Sequence, residues 1–194
     1  MSKAVLEKLQ SKFGAAIQEV HSHLGDDTAI VDPNSWKTIC EFLKNDASCD
    51  FDLFIDLTAV DYPDRTPRLE VVLHMYSVGR RHRIRLKTRI GTDSLENTEI
   101  DSVTSVWAGA NWFERETYDM FGITFRGHPD LRRILLYPEF VGHPLLKDYD
   151  AQKTQPLVPY RTEADAGMIL EKVAPFGTDE GMSFGRKFLP EKES

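Results

Sequence analysis

Residues 81–90 read RHRIRLKTRI, an alternation so regular that only one local structure can use it. Arg81, Arg83, Arg85, Lys87 and Arg89 take one parity; His82, Ile84, Leu86 and Ile90 take the other. A helix would scatter these cations around its circumference, whereas a strand sends alternate side chains to opposite faces. The stretch is a strand with one face against a core and a cationic face turned away. Two further alternating runs precede it. In FDLFIDLTAV, Phe51, Leu53, Ile55 and Leu57 are expected inward, against Asp52, Phe54 and Asp56. In RLEVVLHMYSV, Leu69, Val71, Leu73 and Met75 are expected inward, and DYPDRTP supplies the turn between the runs. The three strands form an antiparallel meander in which Glu70, Asp52 and Asp56 face the cation ladder and neutralise it.

That pairing makes the ladder a solvated or partner-facing surface. Contact with an acidic partner or a membrane lipid is a second reading, and nucleic acid a third. The net charge of −7 weighs against nucleic acid, because neutralising phosphates takes an excess of Lys and Arg.

Helices surround these strands. Val5, Leu6, Leu9 and Phe13 recur at helical spacing between charges, so residues 2–13 form an amphipathic helix rather than a signal peptide. Strands are expected in AIQEVHSHL and TAIVD, on either side of the turn GDD. Asp32 and Pro33 then open a helix with Trp36, Ile39, Cys40 and Leu43 on one face. A short helix is expected over 103–108. The fold class is α/β (α+β), an antiparallel or mixed sheet packed with helices. No apolar run reaches the roughly 18–20 residues that cross a bilayer, so the chain is expected to be soluble.

Cys40 and Cys49 lie nine positions apart with no nearby histidine, too few ligands for a zinc site or an iron–sulfur cluster. Both are expected to be reduced thiols, with Cys40 buried. Prolines divide the chain: three of the ten precede residue 128, and seven follow it. This predicts a compact domain over 1–125 and an extended, partner-wrapping arm with a tail over 126–194. Leu157, Tyr160, Ile169, Leu170, Phe176, Phe184 and Phe188 are the tail's candidate anchors.

The densest stretch is WFERETYDMFGI, 112–123. Asn111 with Glu114 three residues on resembles a capping box, placing a helix start at Trp112, and Gly122 supplies a left-handed stop. Phe113, Thr117, Met120 and Phe121 share the face expected to bury. Arg115 and Asp119, four apart, can pair; Glu114 and Tyr118 have the same spacing. Glu114, Glu116 and Asp119 could instead serve as acids and bases, yet they are interleaved with a cation and no nucleophile stands nearby. Structural pairing is the stronger reading. GHP then occurs twice, at 127–129 and 142–144. His128 and His143 with Asp130 and Asp148 invite a metal site, but lack the i, i+4 spacing of helical metal motifs. The ribbon DLRRILLYPEF between them needs a surface to lie on.

Residues 110–150, ANWFERETYDMFGITFRGHPDLRRILLYPEFVGHPLLKDYD, resemble the signature of the C subunit (30-kilodalton subunit) of respiratory complex I, the proton-pumping NADH:quinone oxidoreductase. Matching positions are Glu114, Arg115, Glu116, Tyr118, Asp119, Phe121 and Gly122. A second block is His128, Pro129, Asp130, Leu131, Arg132 and Arg133, and a third Gly142, His143, Pro144, Lys147 and Asp148. Leu146 departs from the family, which usually has a basic residue there. The resemblance implies a structural subunit without catalytic, cofactor or metal residues of its own, these positions serving as interface. FMN, iron–sulfur clusters and quinone would belong to partner subunits. Subunits D and B are the expected neighbours, on the cytoplasmic side of a bacterial inner membrane. Related membrane-bound hydrogenases and dehydrogenases use a similar module, which leaves an adaptor in such a complex as the alternative. A stand-alone hydrolase or metal enzyme built on Glu114, Asp119, His128 and His143 is a further one.

Overall fold

A computed structural model describes residues 2–91, 95 and 98–157. Tyr160, Ile169, Leu170, Phe176, Phe184 and Phe188 lie outside the described residues, and Leu157 is exposed. Helix α1 (Ser2–Phe13) leads into the hairpin β1 (Ile17–His23) and β2 (Asp26–Val31). The Asp32 carboxylate accepts the Asn34 N–H at 2.9 Å and caps a 3₁₀ turn, Pro33–Ser35, which runs into α2 (Trp36–Asn45). Then come β3 (Leu53–Asp61), β4 (Leu69–Ser77), β5 (His82–Ile90), β6 (Glu99–Asp101), α3 (Ala110–Phe121) and β7 (Thr124–Arg126).

Five strands form one sheet in the order β1-β2-β5-β4-β3. β3, β4 and β5 make the expected meander, but β2 joins it parallel to β5, so the sheet is mixed. β6 and β7 pair in parallel as a separate ribbon. Val5, Leu6 and Leu9 from α1 and Trp36, Ile39, Cys40 and Leu43 from α2 are buried. They share one core with Ala29, Val31, Leu57, Val71, Leu73, Met75, Ile84 and Leu86 from the sheet. Each large side chain so buried stabilises the fold by about 1.5–3 kcal/mol relative to exposure. Cys40 and Cys49 are both free and buried. Burial pushes both thiols above the ordinary cysteine value.

The cation ladder is neutralised, though not by the residues expected. β4 lies between β3 and β5, so Asp52 and Asp56 are not neighbours of the ladder. Asp26 instead meets Arg83 at 2.6 Å and Arg85 at 2.9 Å. Glu70 takes Lys87 at 2.6 Å and Arg89 at 3.5 Å, and Glu19 reaches Arg89 at 3.4 Å. Arg81 leaves the ladder for the β4–β5 turn, at φ +53°. Ile30 and Val72, both paired in register with Lys87, are nonetheless buried. The aliphatic stems of long cations can cover apolar side chains while their charged heads stay in water.

Two sequence expectations fail for local reasons. A bulge between Phe54 and Asp56 shifts the register of β3 against β4. One extra residue reverses the parity of a strand. Leu53 and Ile55 are consequently each 46% exposed, while the Phe54 ring packs against Phe113 with centroids 5.2 Å apart. Over 103–108 there is no helix: Val106 and Trp107 donate their N–H groups to the Val103 carbonyl in tight turns. The Trp107 indole there donates to the Phe51 carbonyl at 3.0 Å.

The compact unit does not stop at 125. It runs through Gln155. Much of the expected arm is part of the domain.

Candidate functional site

Helix α3 begins at Ala110, two residues before the expected start, with Gly109 at its N-cap and no side-chain cap bond. Asn111 is thus inside the helix, and Glu114 has a different use. Thr117, Met120 and Phe121 bury as the periodicity requires, Phe113 is half-buried, and Glu114 and Asp119 join them with no exposed surface. Burying an ionised carboxylate is strongly unfavourable unless donors surround it. Both acids are so surrounded.

Glu114 accepts the Val103 N–H at 2.7 Å and the Ser102 hydroxyl at 2.6 Å, with the Thr104 hydroxyl at 3.2 Å. It thereby fixes the turn after β6. Burial pushes its carboxyl above the ordinary glutamate value, and these three donors oppose the shift without cancelling it.

Asp119 does not pair with Arg115. Its Oδ1 accepts from Arg133 Nη1 at 2.6 Å, and its Oδ2 accepts three successive backbone N–H groups. These come from Ile134 at 3.1 Å and from Leu135 and Leu136 at 2.9 Å each. Consecutive N–H groups converging on one oxygen make a concave anion seat. Burial alone would raise the Asp119 carboxyl. The Leu136 N–H, the Arg133 guanidinium and the Leu135 and Ile134 N–H groups outweigh it and hold the carboxyl below its ordinary value. The Asp119 carbonyl accepts His143 Nδ1–H at 2.9 Å, and Arg133 Nη2 donates to the Gly142 carbonyl at 3.1 Å. Arg115 holds the same ribbon from the outside: it donates to the Arg132 carbonyl at 3.1 Å and the Arg133 carbonyl at 3.2 Å.

His128 closes the start of the ribbon. Its Nδ1 accepts the Asp130 N–H at 3.0 Å, so Nε2 carries the proton given to the Asn111 carbonyl at 3.2 Å. Gly122 ends α3 at φ +78° with the His143 ring against it, and the Tyr118 ring meets His143 edge-on with centroids 6.2 Å apart. Leu131, Leu136 and Leu146 are half-buried against the core. Leu146, expected to depart from the resemblance, is thus a packing residue here.

The third block is held by residues that the sequence reading missed. Arg68 grips Asp61 with two bonds, Nε at 2.6 Å and Nη2 at 2.7 Å, and extends Nη1 to Asp148 at 2.9 Å. Asp61 also accepts the Lys147 N–H at 2.7 Å. The Arg68 guanidinium beside Asp61 and Asp148 holds both carboxyls below the usual range. Asp61 ends β3 and Arg68 immediately precedes β4, about 80 residues from their targets, and no local pattern marks them. Gln155 adds a last clasp, accepting the Val141 N–H and donating to the Val141 carbonyl.

The matched positions therefore fall into three groups. Glu114, Arg115, Asp119, Phe121, Gly122, His128, Leu131, Arg133, Gly142, His143, Lys147 and Asp148 are engaged within the chain. Glu116, Pro129, Asp130 and Arg132 face outward, the last two paired with each other at 2.9 Å. Tyr118 and Pro144 are half-buried. Around the ribbon Trp112, Leu135, Val141 and Leu145 are largely exposed, and Arg115 lies over the Trp112 ring, 5.4 Å from its centroid. Among the described residues no group of three His, Cys, Asp or Glu side chains is placed to hold a metal ion, and no helix is long and apolar enough to cross a membrane.

A mixed sheet, followed by a helix that carries a ribbon on buried carboxylates with an apolar fringe outside, defines a small α+β domain. Residues 29–155 match the family described as respiratory-chain NADH dehydrogenase, 30 Kd subunit, and the chain belongs to that family. It is 48% identical over 152 residues to the C subunit of the NADH-quinone oxidoreductase of Caulobacter vibrioides, covering 77% of this chain and 75% of that one. It is 45% identical over 141 residues to the same subunit of Hyphomonas neptunium, covering 73% and 68%. A chain in the structure of the membrane-bound sulfane sulfur reductase, an archaeal respiratory membrane complex, shares the fold. There the TM-score is 0.65 at 22% identity, over 94% of this chain and 98% of that one. The chain is thus a subunit of a multisubunit NADH-quinone oxidoreductase.

Proposed function

We propose that this subunit is structural rather than catalytic, and that it packs on subunits D and B in the peripheral arm of a proton-translocating NADH:quinone oxidoreductase. In this reading FMN, the iron–sulfur clusters and the quinone belong to partner subunits, and the assembly lies on the cytoplasmic side of a bacterial inner membrane. The observation that carries it is the saturation of the buried acids. Glu114, Asp119 and Asp61 each receive three or more donors from their own chain. A general acid or base needs a free face toward substrate, and these carboxylates spend theirs on shape.

The shape they set is a rigid ribbon bearing Leu135, Val141 and Leu145, with Trp112 on α3 beside it. Apolar and aromatic anchors on a preorganised surface, with a polar rim of Glu116, Asp130 and Arg132, have the make-up of a protein interface. The test is affinity capture of the full-length tagged chain from its native membranes in mild detergent, for the wild type and for Leu135→Asp. Co-recovery of subunits D and B with flavin, iron–sulfur and NADH:quinone activity is expected, and a sharp drop for Leu135→Asp with the isolated chain as stable as before. Recovery with hydrogenase-type partners and no NADH activity would favour the adaptor reading instead. Turnover by the chain alone would overturn the structural role.

A further inference from the structure

A cleft of about 450 Å³ opens where α1 passes the turn between β4 and β5, away from α3 and its ribbon. Lys8 from α1, Ser48 from the turn after α2, and Gly79, Arg80 and His82 around the β4–β5 turn line it, with Val5 as an apolar floor. Segments this far apart in sequence meet here only because the sheet brings them together.

Both cations are held in place and keep donors in reserve. Arg80 directs Nε at the Ala47 carbonyl, 2.9 Å away, and Nη2 at the same oxygen. That fixes the guanidinium plane, and among the described residues nothing accepts from Nη1. Lys8 donates to Asp46 at 2.6 Å and to the Ser48 hydroxyl. An ammonium has three N–H bonds, so one remains. His82 is fixed by the Cys49 carbonyl at 3.0 Å and by the Phe51 ring, 4.8 Å between centroids. Three acids stand close. Asp46 is occupied by Lys8 and by the Ser48 N–H and hydroxyl, and Asp52 accepts the Val78 N–H at 3.0 Å. The Asp50 carboxylate lies beside Gly79. Lys8, Arg80 and the adjacent Arg81 match these acids in number, in a chain whose net charge is −7.

A rigid guanidinium fork beside a point-like ammonium suits a tetrahedral oxyanion, which takes two parallel N–H bonds from the fork and one from the lysine. We propose that this cleft binds the phosphate group of a small phosphate ester or of a phospholipid headgroup, with the organic part lying on Val5 and the His82 ring. The inference is independent of how the ribbon docks.

The experiment is an amide-resolved NMR titration of the isotopically labelled full-length chain with inorganic phosphate and then glycerol 3-phosphate, against chloride at equal ionic strength. Parallel samples receive phosphatidylcholine vesicles with and without phosphatidic acid. Saturable shifts confined to Val5, Ser48, Gly79 and Arg80 are expected, weakened at least about tenfold in Arg80→Ala and less in Arg80→Lys. Lys8→Gln tests the second cation, and unchanged spectra elsewhere report that each variant folds. Response to the free esters assigns a soluble ligand. Arg80-dependent response to phosphatidic acid vesicles alone assigns a headgroup. Shifts reproduced by chloride, or unchanged in Arg80→Ala, overturn the site.

Discussion

Gly122 and His143 pack so closely that a Cβ on the glycine would lie 2.8 Å from the imidazole ring. The contact joins the end of α3 to the second GHP segment, and the glycine's φ of +78° makes the same point independently. Gly122→Ala brings a left-handed alanine and a clash together. It is expected to destabilise the domain by about 1–3 kcal/mol, read from urea unfolding. Amide exchange should quicken first at Leu145, whose N–H meets the Met120 carbonyl.

Asp119→Asn removes the charge from a fully buried carboxylate and leaves Arg133, itself 17% exposed, without its counter-ion. Breaking a buried pair in this way costs about 3–5 kcal/mol. The neighbouring surface pair supplies the control: Asp130→Asn is expected to change stability by no more than about 0.5 kcal/mol. Equal effects of the two substitutions in chemical denaturation would contradict the anion seat.

The acids predict two opposite pH dependences. Asp61, Asp119 and Asp148 are held below their ordinary value of 3.8. Their stabilisation is present above that pH and lost as pH falls through the folded-state values. Glu114 is raised above its ordinary 4.5, so between 4.5 and its folded value the native state holds more proton than the unfolded chain. Over that window stability falls as pH rises. Unfolding curves from pH 3 to pH 7 should therefore steepen for wild type relative to Glu114→Gln above pH 4.5, and should not differ in the acid limb.

Arg68→Lys keeps the charge and loses the fork. A lysine cannot hold both Asp61 oxygens in register and reach Asp148 as well. The expected result is a loss of about 1–3 kcal/mol, with protease cutting faster near Lys147. A double-mutant cycle with Asp148→Asn should show coupling, because the two residues share one guanidinium.

Burial should also make the thiols silent. Cys40 and Cys49 are expected to react with a thiol reagent only at the rate of unfolding, since burial lifts both above the ordinary cysteine value. Rapid labelling in native buffer would mean that the core around α2 opens.

Period-two runs placed β4 and β5 from the sequence, and helical spacing placed α1 and α2, because those signals are local. The bulge in β3 was invisible: no glycine or proline marks it, and the register shift arises where Phe54 turns toward Phe113 and Trp107. That charges of WFERETYDMFGI bond within the chain was legible, but their partners were not. Asp119 finds Arg133 rather than Arg115 four residues away, because the ribbon offers three N–H groups that a helix surface cannot. Spacing within a helix lists candidates, and tertiary approach chooses among them. Asp61 and Arg68 carried no signal, since their role depends on a segment about 80 residues later.

β2 stands between β1 and β5, and its pairing with β5 is parallel. Thr28 pairs with Arg85 and Val31 with Thr88, so the first hairpin has no place in the sheet until the fifth strand exists. During synthesis the first hairpin must wait, its apolar β2 uncovered, while about fifty further residues leave the ribosome before β5 begins. A fragment ending before residue 82 should gather into an unstable, association-prone form. A fragment ending at 155 should fold on its own.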